Sequence, residues 1–86
     1  MLKLWQVKMA DWNKAVIRVL LGLAKVDPVL CKEVLIAVRK IEQRPTRGEY
    51  IQGTYRVYSD SEKRFRIGYN FHPKAKEIEI VVIHLY

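Results

Sequence analysis

Six residues in the second half of the chain carry side chains suited to phosphate chemistry. Arg56, Tyr58, Arg64 and Arg66 lie in the stretch TYRVYSDSEKRFRIGYNF, and His84 and Tyr86 fall in IHLY. A guanidinium presents a planar fork of donors that matches two phosphate oxygens, and its pKa is too high for proton shuttling. The arginines can therefore clamp a phosphate and stabilise charge on it, and do little more. Proton transfer needs a histidine, which as a type titrates near neutrality, or a tyrosine whose pKa neighbouring arginines pull down. His84, Tyr86 and Tyr58 are the candidates. The sequence has no Cys/His/Asp cluster with metal-ligand spacing, no Ser-His-Asp grouping and no phosphate-binding glycine loop. A hydrolase using a metal or a covalent nucleophile is not expected, nor is a cofactor.

Each candidate also has a structural reading. Arg64 and Arg66 fit a solvated strand face, and Arg56 and Tyr58 each fit a member of an aromatic–basic cross-strand pair that stabilises a sheet. His84 has the parity of Ile78, Ile80 and Val82, while Val81, Ile83 and Leu85 take the other side. Both faces of that strand are apolar, as in a strand covered on both sides, so parity does not say which face His84 joins; a core or rim histidine is one reading. Tyr86 fits a terminal residue and His72, beside Pro73, a turn. Trp5 and Trp12 read as core anchors, and Cys31 as a small buried hydrophobe among apolar helix neighbours.

The charge supports an anionic partner. The 86 residues carry a formal +7, and nucleic acid leads the candidates, ahead of an acidic protein or a membrane surface. Residues 44–76 hold eight basic against three acidic residues, a net of +5, whereas 10–43 hold six against four. The positive field therefore coincides with the arginine-bearing stretch. Arg44, Arg47, Lys63, Arg64 and Lys74 are the expected contacts to a nucleic-acid backbone. A single cysteine excludes an internal disulfide framework and fits a reducing cytoplasm. The N-terminal MLKLWQVKM alternates and carries lysines, unlike a signal peptide. The apolar runs AVIRVLLGLA and IEIVVIHLY are too short and too interrupted to span a membrane, so no membrane partner is expected.

Elements must position these residues. Leu2 to Met9 alternates as a first strand. Asp11 reads as a helix N-cap, followed by apolar residues at helical spacing: Trp12, Ala15, Val16, Val19, Leu20 and Leu23. Ile17, Leu21 and Ala24 widen that stripe, predicting a helix covered on more than one side. VDPV then starts a second helix, with Asp27 as cap and Pro28 at the first helical position. It runs to about Gln43, buries Leu30, Val34, Ala37, Val38 and Ile41, and ends at Pro45. RPTRGE is a loop. Strands follow from Tyr50 to Ser59 and Arg64 to His72, joined by the turn SDSEK, and after HPKAK a last strand runs from Glu77 to Tyr86. The prediction is one α+β domain over 1–86, ordered β-α-α-β-β-β, with a helical hairpin on one face of a twisted, mainly antiparallel four-stranded sheet. The free face would display Arg56, Tyr58, Arg64 and Arg66.

Over nearly its whole length this sequence resembles the RelE/ParE family of small toxins from toxin–antitoxin systems. The resemblance rests on the element order, on a helix ending in KIEQRP before the first hairpin strand, and on GTYRVYSDSEKRFRIGYNFHPKAKEIEIVVI. The last resembles the family's hairpin, in which YRV precedes an aromatic-Arg-aliphatic-x-Tyr strand and then an aliphatic strand. It implies cleavage of mRNA in the ribosomal A site, with no metal: the 2′-hydroxyl attacks its own 3′-phosphate, leaving a cyclic phosphate and a free 5′-hydroxyl. Arg66 matches the arginine that contacts the scissile phosphate, and Arg56 a basic position on the preceding strand. Tyr58 stands where a second basic residue is usual. His84 and Tyr86 resemble the His-Tyr pair that ends the YoeB-like branch, with one residue inserted between them, and the Gly-His-Arg or Gly-Lys-Arg ending of many members is absent. The resemblance also implies a cognate antitoxin, acidic and partly disordered, that forms an oligomer with the chain. Two rival readings carry the same fold: a ParE-like toxin that acts on DNA gyrase without cleaving RNA, and a nucleic-acid-binding member that has lost activity.

Overall fold

The computed structural model describes residues 10–86; the strand expected at Leu2 to Met9, and Trp5 within it, lie outside them. The order is β1 (Asp11–Trp12), α1 (Lys14–Val26), α2 (Pro28–Gln43), a 3-10 turn (Pro45–Arg47), β2 (Glu49–Gln52), β3 (Tyr55–Ser59), β4 (Phe65–His72) and β5 (Glu77–Leu85). The α+β class stands, with two helices against one sheet. Among the described residues the sheet has five strands in the order β1-β5-β4-β3-β2, and it is mixed because β1 runs parallel to β5. Two boundaries differ from those expected. Asp11 and Trp12 extend along β5 and do not begin the helix, and the segment expected as one strand from Tyr50 to Ser59 is a hairpin. Gln52 pairs with Tyr55, so Gly53 and Thr54 form the turn, with Gly53 at φ 59°, a backbone that glycine adopts without steric cost.

The helix boundaries follow from side-chain caps. Asn13, not Asp11, caps α1: its Oδ1 accepts from the Ala15 N–H at 2.8 Å. Asp27 closes α1 through its own N–H to the Leu23 carbonyl and caps α2 through Oδ1, which accepts from the Leu30 N–H at 3.1 Å. Pro28 takes the first position, where a missing N–H costs nothing. The core unites Val16 and Leu23 of α1, Cys31, Val34, Ala37, Val38 and Ile41 of α2, and the inner face of β4 and β5: Phe65, Ile67, Tyr69, Phe71, Ile78, Ile80 and Ile83. Trp12 and Leu30 pack partly buried against it. Among the described residues no second cover lies over α1: Ile17 and Leu21 are exposed, the latter 62%.

One irregularity explains the apolar residues on both parities of β5. Tyr69 pairs with Ile80, but Gly68 pairs with Val82. Val81 is thus an extra residue, a β-bulge that moves the core-facing positions from Ile78 and Ile80 to Ile83. Among the described residues the strand is covered on one face, and the parity of its covered positions changes partway along.

Candidate functional site

Strand register decides which candidates meet. β3 and β4 pair as Tyr55 with Asn70, Arg56 with Tyr69, Val57 with Gly68, Tyr58 with Ile67 and Ser59 with Arg66. Directly paired residues share a face, so an odd position on β3 joins an even one on β4. Arg66 therefore stands with Ser59, Val57 and Tyr55 on the face the helices leave open. Arg56 and Tyr58 stand with Tyr69 and Ile67 on the helix side. This corrects the expectation that Arg56, Tyr58 and Arg66 share the free face. Six residues, 60–65, separate Ser59 from Arg66, and that even number puts unlike parities together. The aromatic and aliphatic residues of β4 take the core, and β3 follows in register.

Arg56 is consequently a structural side chain. Its Nη1 donates to the Gly48 carbonyl at 2.8 Å and to the Thr46 carbonyl at 3.3 Å, and its guanidinium lies 5.6 Å from the centre of the Tyr50 ring. Tyr58 packs partly buried against the core. Gly48 closes this corner: its N–H donates to the Tyr69 hydroxyl at 2.9 Å, and that hydroxyl donates to the Pro45 carbonyl at 2.6 Å. A Cβ on Gly48 would meet the Tyr69 hydroxyl at 2.6 Å, so only glycine lets the loop come so close. Burial raises the pKa of the Tyr69 phenol, which keeps it a neutral donor.

On the open face Arg66, His84 and Tyr86 come together. β4 pairs Arg66 with His84, and the Tyr86 N–H donates to the Arg64 carbonyl at 3.0 Å, which lays Tyr86 beside β4. The Arg66 guanidinium sits 5.4 Å from the Tyr86 ring centre, and the His84 and Tyr86 rings meet edge-on at 5.1 Å. His84 is exposed and so is not a core histidine. Among the described residues, the Arg66 guanidinium makes no hydrogen bond or ion pair, which leaves its donor fork available. Beside it opens a cleft of about 290 Å³ lined by Tyr55, Val57, Arg66, Gly68, Val82 and His84, at the small end of ligand-binding clefts (roughly 300–1,000 Å³). Tyr55, Val57 and Val82 carry no mark of a site in the sequence; the odd-with-even register is the signal that would have found them.

The remaining basic residues do not form one field. Arg44, Arg47 and Arg56 gather around the connection from α2 to β2, where Arg47 Nε donates to the Lys40 carbonyl at 3.3 Å. Lys63 and Arg64 lie in the turn at the Arg66 end of the sheet, and Lys74 in the turn at the other end. Arg64 is engaged locally, its Nε 2.9 Å from Asp60 Oδ2 and 3.3 Å from Glu62 Oε1. The Arg64 hydrogen bonds lower the Asp60 pKa, and Asp60 in turn raises that of Arg64. The open face is thus positive at the Arg66 end, while Glu77 and Glu79 sit at the other, paired with His72 and Asn70. Among the described residues no group of three or more His, Cys, Asp or Glu side chains is arranged to hold a metal, and no helix is long and apolar enough to cross a membrane.

Compared with known proteins, the chain matches no family model, no curated protein and no solved structure.

Proposed function

We propose that this chain is a toxin of the RelE/ParE kind that cleaves mRNA in the ribosomal A site, working through Arg66, His84 and Tyr86. The observation that carries this reading is the convergence of one unpaired guanidinium with an imidazole and a phenol beside an open cleft. Arg66 binds two non-bridging phosphate oxygens and stabilises the negative charge that builds on phosphorus as the 2′-hydroxyl attacks. His84 takes the 2′ proton, and Tyr86, held against Arg66, supplies a proton to the departing 5′ oxygen. A cognate antitoxin is the expected partner. Arg56 and Tyr58 drop out of the proposed chemistry.

A second reading has its own support. With Arg56 turned to the helix side, the cleft holds one guanidinium where a grip on an RNA backbone would use several. That favours a non-cleaving relative, either a ParE-like toxin directed at DNA gyrase or a nucleic-acid-binding member. Induced expression of wild type and Arg66→Ala, followed by primer extension on translated mRNA, separates them. Codon-spaced cuts lost in the variant support cleavage. Growth arrest with intact mRNA and damaged DNA supports the gyrase reading, and no toxicity from either supports the binding module.

A further inference from the structure

The floor of the open-face cleft is built for one side chain. Tyr55 is paired with Asn70 in the sheet, yet its phenol does not stand over Asn70. It lies along the sheet over Gly68, two residues nearer Arg66, a shift of about 6.6 Å. A Cβ on Gly68 would collide with the Tyr55 hydroxyl, and would meet Val82 Cγ1 at 2.7 Å and Tyr55 Cζ at 2.9 Å. Glycine at this position thus clears the seat on which the ring rests. The ring's packing alone would account for a glycine–aromatic pair across two strands, because an aromatic side chain can cover a strand glycine. The hydroxyl is what such packing leaves unexplained. It lies over Gly68, in the lining of the cleft that Arg66 and His84 share, and among the described residues it makes no hydrogen bond.

We propose that Tyr55 is a substrate-positioning residue, its hydroxyl hydrogen-bonding the nucleoside attached to a phosphate held at Arg66. This rests on the reading of the cleft as an RNA site and adds a residue to it. Gly68, under the Tyr55 hydroxyl, is two residues from Arg66 along β4, about 6.6 Å, so a phosphate held at the Arg66–His84 end can carry its nucleoside to that hydroxyl. A positioning donor there orients the sugar relative to the phosphate, which the chemistry needs for in-line attack.

The test uses the whole chain labelled with nitrogen-15 and two probes, a nucleoside 3′-monophosphate and inorganic phosphate, titrated by NMR. Tyr55→Phe keeps the ring on its seat and removes only the hydroxyl. The expected result is a loss of about three- to tenfold in affinity for the nucleotide, the worth of one neutral hydrogen bond, with phosphate affinity unchanged. Gly68→Ala displaces the ring and should give the same selective loss, and the double variant should bind no more weakly than Gly68→Ala. Melting temperatures of all three report whether the fold is kept. Unchanged nucleotide affinity in Tyr55→Phe overturns the proposal, as does an equal loss for both probes or a wild type that prefers neither. Cleavage is read separately. A chain that cuts no mRNA but shows the Tyr55-dependent preference sinks the nuclease reading and leaves this inference standing. A chain that cuts mRNA while Tyr55→Phe binds and cuts normally does the reverse.

Discussion

Arg66 and His84 are direct cross-strand partners on the uncovered face of the sheet, while Arg56, read from the sequence as Arg66's neighbour, is bonded to the Gly48 carbonyl on the far side. The two arginines should therefore respond oppositely to truncation. Arg66→Ala is expected to lower mRNA cleavage by about a hundredfold or more, the scale of losing one charge-stabilising donor. Its urea midpoint should move little, because an exposed side chain with no hydrogen bond or ion pair, resting only on the Tyr86 ring, contributes about 1 kcal/mol at most. Arg56→Ala should cost about 1–3 kcal/mol through lost charge-assisted hydrogen bonds to two carbonyls. Urea melts alongside primer extension check both arms; destabilisation by Arg66→Ala and none by Arg56→Ala would reverse the assignment.

His84 and Tyr86 are separable because one contacts the other. Replacing His84 with Gln removes the imidazole that takes the 2′ proton and should lower cleavage by about 10²- to 10⁴-fold. Tyr86→Phe keeps the ring against the Arg66 guanidinium and removes only the proton. A loss in Tyr86→Phe as large as in Tyr86→Ala would show that the hydroxyl acts; full activity in the Phe variant would reduce Tyr86 to holding Arg66 in place.

What the sequence made legible is what depends on local chemistry. Asp27 and Pro28 mark the junction of α1 and α2 because a capping carboxylate and a ring without an N–H each suit one position, and the spacing of Val34, Ala37, Val38 and Ile41 marks the buried face of α2. The failures lie where pairing between distant segments decides. Alternation in β3 and β4 was visible, but which parity of β3 meets which parity of β4 depends on the length of the turn after Ser59. A shift of one residue exchanges every side chain between faces, and it moved Arg56 and Tyr58 out of the site and Tyr55 into it. Likewise the apolar residues on both parities of β5 look like two-sided burial until the bulge at Val81 is known. Gly53–Thr54 was missed because a single glycine in IQGTYRV is a weaker turn signal than SDSEK. The pairing of Arg66 with His84 depends on that same bulge, so the site is less legible than the fold.

The Tyr69 hydroxyl fastens the Pro45–Gly48 corner to β4 with two buried hydrogen bonds. Tyr69→Phe leaves a carbonyl and an N–H without partners and should cost about 1–3 kcal/mol, read from urea denaturation at neutral pH. The folded-state pKa of this phenol is raised above the ordinary 10.0, so at high pH the unfolded chain gives up the proton first. The stabilisation is complete below pH 10 and is lost as pH rises through the raised value. The variant should therefore show a shallower alkaline decline than wild type, and parallel declines would count against the buried donor.

The turn between β3 and β4 makes the opposite prediction at the acid end. Asp60 accepts from the Arg64 backbone N–H at 3.1 Å and from its guanidinium at 2.9 Å, and these bonds hold its carboxyl below the ordinary value near 3.8. A depressed folded-state pKa means that the unfolded chain takes up the proton first as pH falls. The contribution is therefore present above pH 3.8 and disappears as pH drops through the lowered value. Asp60→Asn should remove this part of the acid sensitivity, so that the gap in melting temperature between wild type and variant narrows below about pH 4. The side chains are near the surface, so added salt should weaken the effect. Melting curves from pH 7 to pH 3 at low and high salt measure both dependences. A gap that stays constant with pH would mean that the Arg64 pairing contributes nothing to the turn, and would place the turn's stability in the backbone bond from Lys63 N–H to the Asp60 carbonyl at 2.9 Å.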